Sequence, residues 1–142
     1  MTIKEIQEEI IDEFLLFDDW MERYEYIIDL GKSLPIIDAA FKQDENLIKG
    51  CQSKVWLYSE LENGLIKYTA DSDAILTKGI VALLLRVFSN QKATDILAAE
   101  TLFIDKIVLK EHLSPTRANG LVSMIKQIKM YAIAQQVKTT KE

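Results

Sequence analysis

The sequence predicts an α+β fold, in which two N-terminal helices precede a small three-stranded antiparallel sheet and further helices pack on one face of that sheet. Apolar residues recur at helical spacing near both ends of the 142-residue chain. Between them, residues 46–70 are rich in β-branched and aromatic residues and contain the hairpin dipeptide Asn63-Gly64. Because no linker or internal repeat interrupts the pattern, residues 1–142 are predicted to form a single domain.

The two N-terminal helices are predicted from their caps. Thr2 and Glu5 match the Thr-x-x-Glu capping box, and the apolar stripe behind them predicts a helix over residues 3–15. Asp19 begins a similar pattern, which predicts a second helix over residues 20–30.

Gly31 follows the second predicted helix and opens the tripeptide Gly-Lys-Ser. A phosphate-binding loop of the P-loop kind needs a glycine five residues earlier, where this chain has Tyr26. We therefore interpret Gly31 as the C-cap of the helix, with Pro35 as the breaker that follows it.

Three strands are predicted in the middle of the chain. A short strand over residues 47–49 comes first, a second covers residues 55–58, and a third returns over residues 65–69 after the Asn63-Gly64 turn. This arrangement predicts that Cys51 lies at the tip of the connection between the first and second strands.

The sheet is followed by a buried helix. Ser72 is predicted to be its N-cap, with Asp73 in the first turn, where a carboxylate suits the helix dipole. The segment over residues 73–88 is apolar almost all round, which predicts the central helix of the core.

The C-terminal part is predicted to be helical. Thr94 is expected to cap a short helix over residues 95–100, and a further helix or turn is expected over residues 102–108. Ser114 and Pro115 predict the start of a last helix that ends near Gln136, before a frayed tail.

Charge is distributed unevenly along an acidic chain. The protein carries 17 basic and 22 acidic residues, a net charge of −5. Residues 1–50 hold 13 acids and 5 bases, whereas residues 101–142 hold 3 acids and 7 bases. Without a dense basic cluster the chain is not expected to bind nucleic acid. The dipole either orients a protein partner or reflects a solvated pair of acidic helices, the latter being the more ordinary explanation.

Neither a membrane span nor a secretion signal is predicted. The longest apolar run, residues 79–85, is too short to cross a bilayer. The N-terminus is acidic and amphipathic, whereas a signal peptide begins with basic residues and continues with an apolar stretch. The expected location is cytoplasmic, with no membrane contact.

Cys51 is the single cysteine, and His112 is the single histidine. The chain therefore forms no internal disulfide, and the two residues are too few for a structural zinc site. Lone cysteines are most often buried and inert. Against that, a position on a turn after Gly50 indicates a reachable thiol, and Lys49 and Lys54 could favour its thiolate.

Four segments together resemble the SufE-type sulfur-acceptor proteins, a family that includes CsdE. The similarity covers about residues 14–134, with the segments in matching order and spacing. They are residues 20–35 (WMERYEYIIDLGKSLP), 48–57 (IKGCQSKVWL), 68–85 (YTADSDAILTKGIVALLL) and 112–129 (HLSPTRANGLVSMIKQIK).

The resemblance implies both a fold of the SufE kind and a function. Proteins of this family accept sulfane sulfur from a pyridoxal-phosphate (PLP) cysteine desulfurase of the SufS or CsdA kind, which they stimulate. They carry the sulfur as a persulfide on one cysteine and pass it to iron–sulfur scaffold proteins. The Gly-Cys-Gln-Ser motif maps this persulfide onto Cys51. No cofactor of the chain's own is expected, since PLP belongs to the partner desulfurase.

Five residues are expected to support the Cys51 site. Gly50 allows close approach of another backbone, and Gln52 and Ser53 either hold the loop or are ordinary turn residues. The resemblance to the family's ADSDA segment implies that Asp73 tethers the loop. Arg117 lies in the first turn of the last helix, where a cation opposes the dipole, so we expect a compensating carboxylate such as Asp73 or a role near the site.

Two other functions remain open from the residues alone. Cys51 with His112 would make a thiol hydrolase or peroxidase, and this predicts turnover by the isolated protein. Alternatively the chain is an interaction module with a structural cysteine, and this predicts that Cys51→Ser keeps all function. Neither alternative predicts that sulfur accumulates on Cys51.

Overall fold

The computed structural model describes residues 1–101, 103–104, 113 and 115–141. Their buried apolar side chains form one contiguous core, to which every helix and strand contributes. The mixture of helices and strands agrees with the predicted fold class. In chain order the elements are α1 (Ile3–Phe14), α2 (Trp20–Leu30), β1 (Val55–Glu62), β2 (Leu65–Ser72), α3 (Ile75–Phe88), α4 (Ala93–Ala98) and α5 (Pro115–Lys141).

The caps predicted for the two N-terminal helices are confirmed. Glu5 N donates to Thr2 Oγ1 at 3.1 Å, and Thr2 N donates to Glu5 Oε1 at 3.0 Å, which completes the capping box. At the start of α2, Glu22 N donates to Asp19 Oδ1 at 2.8 Å. These bonds satisfy amide groups that the first turn of a helix leaves without intrahelical acceptors.

Gly31 ends α2 at the predicted position, but for a different physical reason. Its φ of −59° is helical, so it is not a left-handed cap. A Cβ on Gly31 would lie 3.2 Å from the backbone nitrogen of Gly79 in α3, and a Cβ on Gly79 would overlap the carbonyl oxygen of Ile27. The two glycines therefore let α2 and α3 cross with their backbones in contact.

The hairpin prediction is confirmed. β1 and β2 pair antiparallel with Glu62 opposite Leu65, which leaves Asn63-Gly64 as a two-residue turn. Both turn residues have positive φ, 54° for Asn63 and 80° for Gly64, as a type I′ turn requires.

The predicted third strand is wrong, because the sheet has two strands in the described part of the chain. From residues 47–49 only Leu47 pairs with β1, through an isolated antiparallel bridge to Trp56. A 3₁₀ turn over Asp44–Asn46 ends immediately before this bridge, and a turn at residues 49–50 follows it. Too few extended residues remain between the two turns to continue the ladder.

α3 begins later than predicted, which corrects the assignment of Ser72 as its N-cap. Ser72 is the last residue of β2, and Ala74 occupies the N-cap position without a side-chain bond. Ser72 Oγ still accepts a hydrogen bond from Ala74 N at 3.3 Å. The helix itself is largely buried, as its apolar sequence predicts.

The C-terminal helices differ from the prediction at their ends. Lys92, not Thr94, is the N-cap of α4. Phe103 and Ile104 are helical and buried, while the rest of the span predicted over residues 102–108 lies outside the described residues, as does Ser114. α5 begins at Pro115 as predicted and continues past the expected end near residue 136.

α5 is fixed across the hairpin by polar side chains. The buried Tyr68 hydroxyl donates to the carbonyl oxygen of Ile128 at 2.7 Å, and the Tyr131 hydroxyl donates to that of Leu57 at 3.1 Å. Gln135 Nε2 donates to Ser59 O at 3.3 Å and so anchors the later turns of the helix. This docking carries the first turns of α5 towards the connection that precedes β1. Among the helices described, none combines the length and apolarity needed to cross a membrane.

Candidate functional site

The Cys51 loop, residues 49–53, connects the Leu47 bridge to β1 and lies against α5. Gly50 has a φ of +90°, a conformation that side-chain-bearing residues rarely adopt. A Cβ on Gly50 would lie 2.6 Å from Ser123 Oγ, so the loop and the helix are packed closely there. The turn position predicted for Cys51 is therefore observed, although the first flanking strand is reduced to a bridge.

The Cys51 thiol is half-buried and faces the backbone of α5. Its S–H donates to the carbonyl oxygen of Gly120, with Sγ 3.6 Å from that atom. A Cβ on Gly120 would lie 3.6 Å from Sγ, in ordinary van der Waals contact, so the glycine leaves the thiol room beside the helix. Gly120 therefore lies in contact with the Cys51 loop.

The environment of Cys51 favours the protonated thiol. Burial raises the pKa of the Cys51 thiol above its ordinary value of 9.0. The carbonyl oxygen of Gly120 can accept a hydrogen bond from the S–H group, but its partial negative charge would repel a thiolate. Lys49 and Lys54 lie on either side of Cys51 in the sequence, but their side chains are exposed. The stabilisation of the thiolate expected from them does not outweigh the effect of burial on the Cys51 pKa. In this closed arrangement the sulfur is sheltered and weakly nucleophilic.

Asp73 holds the C-terminal end of the Cys51 loop. Lys54 N donates to Asp73 Oδ1 at 3.0 Å, and Asp73 N donates to Lys54 O at 3.3 Å. Asp73 lies in the connection between β2 and α3, before the N-cap Ala74, so its predicted place in the first turn of the helix is wrong. The geometry is that of a tether, the role that the family resemblance implies for this residue.

Ser53 and Gln52 differ in their contacts. Thr77 Oγ1, in the first turn of α3, lies 3.5 Å from Ser53 Oγ, a long hydrogen bond that adds a second link between the loop and α3. Gln52 is exposed, and within the described residues its side chain makes no hydrogen bond. Of the two polar residues in the motif, Ser53 is therefore the one that contacts the rest of the protein.

Arg117 lies in the first turn of α5 with an exposed side chain, three residues before Gly120. Asp73 Oδ1 accepts from the Lys54 backbone, and a pairing of Arg117 with Asp73 stays a prediction. His112 lies outside the described residues, so the structure gives no geometry for a Cys51–His112 dyad.

Two residues that contact the loop were not predicted from the sequence. Ser123 and Thr77 touch the loop, yet each lies on a helix where a hydroxyl carries no distinctive signal; the spacing of Ser123 one turn after Gly120 was the available clue. Trp56, at the start of β1, is partly buried, and the Lys42 ammonium lies 4.6 Å from its ring centroid. Among the described residues, no cluster of His, Cys, Asp and Glu side chains is arranged to hold a metal ion.

Fold and site together define a small α+β protein with one sheltered thiol on a tethered loop. The chain belongs to the family described as "SufE: Fe-S metabolism associated domain", whose profile matches residues 8–132. This confirms the resemblance seen in the four sequence segments and assigns the chain to iron–sulfur metabolism.

Related proteins agree with the family assignment, and a solved structure has a similar fold. An uncharacterized SufE-like protein of Rhizobium meliloti (strain 1021) is 43% identical over 130 residues, covering 88% of this chain and 93% of that protein. A second, from Rhizobium etli, is 42% identical over 127 residues and 86% of each chain. The fold is similar to the solution structure of a hypothetical protein from Thermus thermophilus, with a TM-score of 0.78, 14% identity and coverage of 93% of this chain and 96% of that one.

Proposed function

We propose that this chain accepts sulfane sulfur on Cys51 from a PLP-dependent cysteine desulfurase of the SufS or CsdA kind and passes it to iron–sulfur scaffold proteins. Family membership supports the role in iron–sulfur metabolism. The observation that carries the proposal is the setting of Cys51, a half-buried thiol on a short loop whose end is tethered by Asp73. A sheltered but movable sulfur suits a carrier of a reactive persulfide.

The proposed reaction is a thiol–persulfide exchange. The Cys51 thiolate attacks the outer sulfur of a persulfide on the desulfurase. A new S–S bond forms on Cys51 while the S–S bond of the donor breaks, and the donor cysteine leaves as a thiolate. Cys51 gives up one proton and the donor cysteine takes one, so no external oxidant or reductant is consumed.

The reaction requires the Cys51 loop to leave α5. In the closed arrangement Sγ points at Gly120 and its pKa is raised by burial, which disfavours attack. The contacts that hold the loop are few: the weak bond to Gly120, the long Ser53–Thr77 bond and the pair of bonds between Asp73 and Lys54. Individual hydrogen bonds contribute about 1 kcal/mol each, so a docking partner can supply enough free energy to open the loop.

Desulfurase turnover tests the proposal. Alanine, formed when the enzyme removes sulfur from cysteine, should appear faster when the wild-type protein is present to accept the sulfur. Cys51→Ser should give no such increase, while a circular dichroism spectrum like that of the wild type would verify its folding. An equal stimulation by Cys51→Ser would overturn the carrier role in favour of an interaction module. Turnover of a thioester by the isolated protein would instead favour the hydrolase.

A further inference from the structure

The solvent side of α5 carries an unpartnered apolar stripe. We call this stripe, which consists of four apolar residues and one lysine, the α5 outer face. Its members are spaced three or four residues apart and therefore lie on one side of the helix. Its four apolar side chains are each about half exposed, at 49–51%. The opposite side of the helix carries the core residues Leu121, Met124, Ile128 and Ala132. The outer face consists of Val122, Lys126, Met130, Ile133 and Val137.

An exposed apolar stripe of this length is unusual on a surface helix. Such helices ordinarily carry apolar residues towards the core and polar residues towards water. Single exposed apolar residues need no explanation, but a contiguous patch indicates a surface that another molecule covers. α5 is therefore built to contact the core on one side and a partner on the other.

Charge identifies the chemistry of that partner. α5 contains five basic residues and no acidic one, whereas all 22 acidic residues of the chain lie elsewhere. A second copy docked through the same face would bring lysines against lysines. An anionic membrane would be opposed by the net charge of −5 on the whole chain. An acidic, partly apolar protein surface fits both the lysines and the apolar side chains.

The outer face continues into the Cys51 loop. A groove of about 400 Å³ runs beside it, and Lys126 and Met130 form one wall. The groove is also lined by Lys49, which belongs to the Cys51 loop, and by Ser123, which packs against Gly50. Glu45 adds one acidic residue to this lining. A partner seated on the face therefore reaches the contact between α5 and the loop.

We propose that the α5 outer face docks the sulfur-donating desulfurase, through a surface on that enzyme that combines acidic and apolar side chains. The inference rests on the proposed carrier function and adds the surface that the donor recognises. It also links docking to loop opening, because a side chain of the partner entering the groove competes with the packing of Gly50 against Ser123.

Two substitutions test the two components of the face. Lys126→Glu reverses the charge at its centre, and Ile133→Ser removes an apolar contact. Matched controls are Lys92→Glu at the start of α4 and Leu16→Ser between α1 and α2, both at exposed positions outside the face. Affinity for the PLP-loaded desulfurase is measured by titration at low and high salt, after thermal melts verify that each variant folds.

We expect both face variants to bind the desulfurase about tenfold more weakly than wild type, and both controls to bind like wild type. The loss in Lys126→Glu should shrink as salt screens the charge. At a subsaturating desulfurase concentration, sulfur loading of Cys51 should fall together with affinity in the face variants and stay at the wild-type level in both controls.

The outcomes separate the docking surface from the carrier function. If wild type is loaded with sulfur but the face variants bind the desulfurase as tightly as wild type, the docking inference fails and the carrier function stands. If wild type is not loaded at all, the carrier function fails. Dimerisation that Ile133→Ser abolishes, or binding to phosphatidylserine vesicles that Lys126→Glu abolishes, would assign the face to a second copy or to a membrane and overturn the inference.

Discussion

At the scale of single residues, two neighbouring aspartates have separate roles. Asp71 lies 2.9 Å from Lys42 Nζ and 3.4 Å from Lys78 Nζ. Burial opposes its ionisation, but the hydrogen bond from Lys42 and the other favourable contacts outweigh it and lower the pKa of Asp71. Asp73 bonds to the Lys54 backbone instead. The segment Asp-Ser-Asp contains both carboxylates, and only the fold determines which of the two reaches the Cys51 loop.

Asp73→Ala should make Cys51 more reactive. The substitution removes the acceptor of Lys54 N, and hydrogen bonds to a charged group contribute roughly 1.5–3 kcal/mol, so the population of the open loop should rise roughly 10- to 150-fold. The rate of Cys51 alkylation by iodoacetamide measures this change. Asp71→Ala is the matched control, because it removes a carboxylate that contacts lysines and not the loop. Equal alkylation rates in Asp73→Ala and wild type would show that Asp73 does not hold the loop closed.

The pH dependence of stability reports the burial of Cys51. Its pKa is raised in the folded protein, so the folded state binds the thiol proton more tightly than the unfolded state does. The resulting stabilisation is fully present below the unfolded pKa, near 9.0, and is lost as pH rises through the folded pKa. The free energy of unfolding of wild type should therefore fall more steeply above pH 9 than that of Cys51→Ser.

Urea unfolding at a series of pH values measures this difference. The comparison with Cys51→Ser cancels the contribution of the buried Tyr68, whose pKa is also raised by burial and which is present in both proteins. Parallel curves for the two proteins would contradict the account of a thiol sheltered by desolvation.

At the scale of elements, local signals predicted starts and turns better than strand pairing. The capping residues of α1 and α2 and the Asn63-Gly64 turn act through neighbours in sequence, and all three predictions are confirmed. The third strand was mispredicted because pairing at Leu47 is limited by the turns on either side of it. α5 continues to Lys141, past the end predicted near residue 136, and the bond of Gln135 to Ser59 fixes only the turns before that predicted end.

The crossing of α2 and α3 depends on Gly79. A methyl group there would overlap the Ile27 carbonyl, so Gly79→Ala should force the helices apart and reduce the free energy of unfolding by about 3 kcal/mol. Gly31→Ala is the matched control at the same crossing, because its added Cβ would make only a tight 3.2 Å contact and should cost less. Urea denaturation measures both. If Gly79→Ala were as stable as Gly31→Ala, the close contact between the α2 and α3 backbones at Gly79 would not be required for stability.

At the scale of the whole molecule, the basic helix α5 lies next to the thiol site. Acidic residues are concentrated in the first third of the chain, and α5 is exclusively basic among its charged residues. The sequence allowed two interpretations of this dipole, a steering field or a solvated acidic surface. The structure locates the basic helix against the Cys51 loop, which the sequence alone did not determine, because the contact joins residues 69 positions apart.

The central claim is that Cys51 carries sulfur, and the mass of the intact protein tests it most directly. The protein is incubated with a PLP-loaded cysteine desulfurase and cysteine and is then separated from the enzyme without reductant. Its mass is measured by mass spectrometry. We expect a gain of about 32 Da, one sulfur atom, that dithiothreitol removes and that Cys51→Ser does not show. No gain on the wild-type protein, or an equal gain on Cys51→Ser, would contradict it.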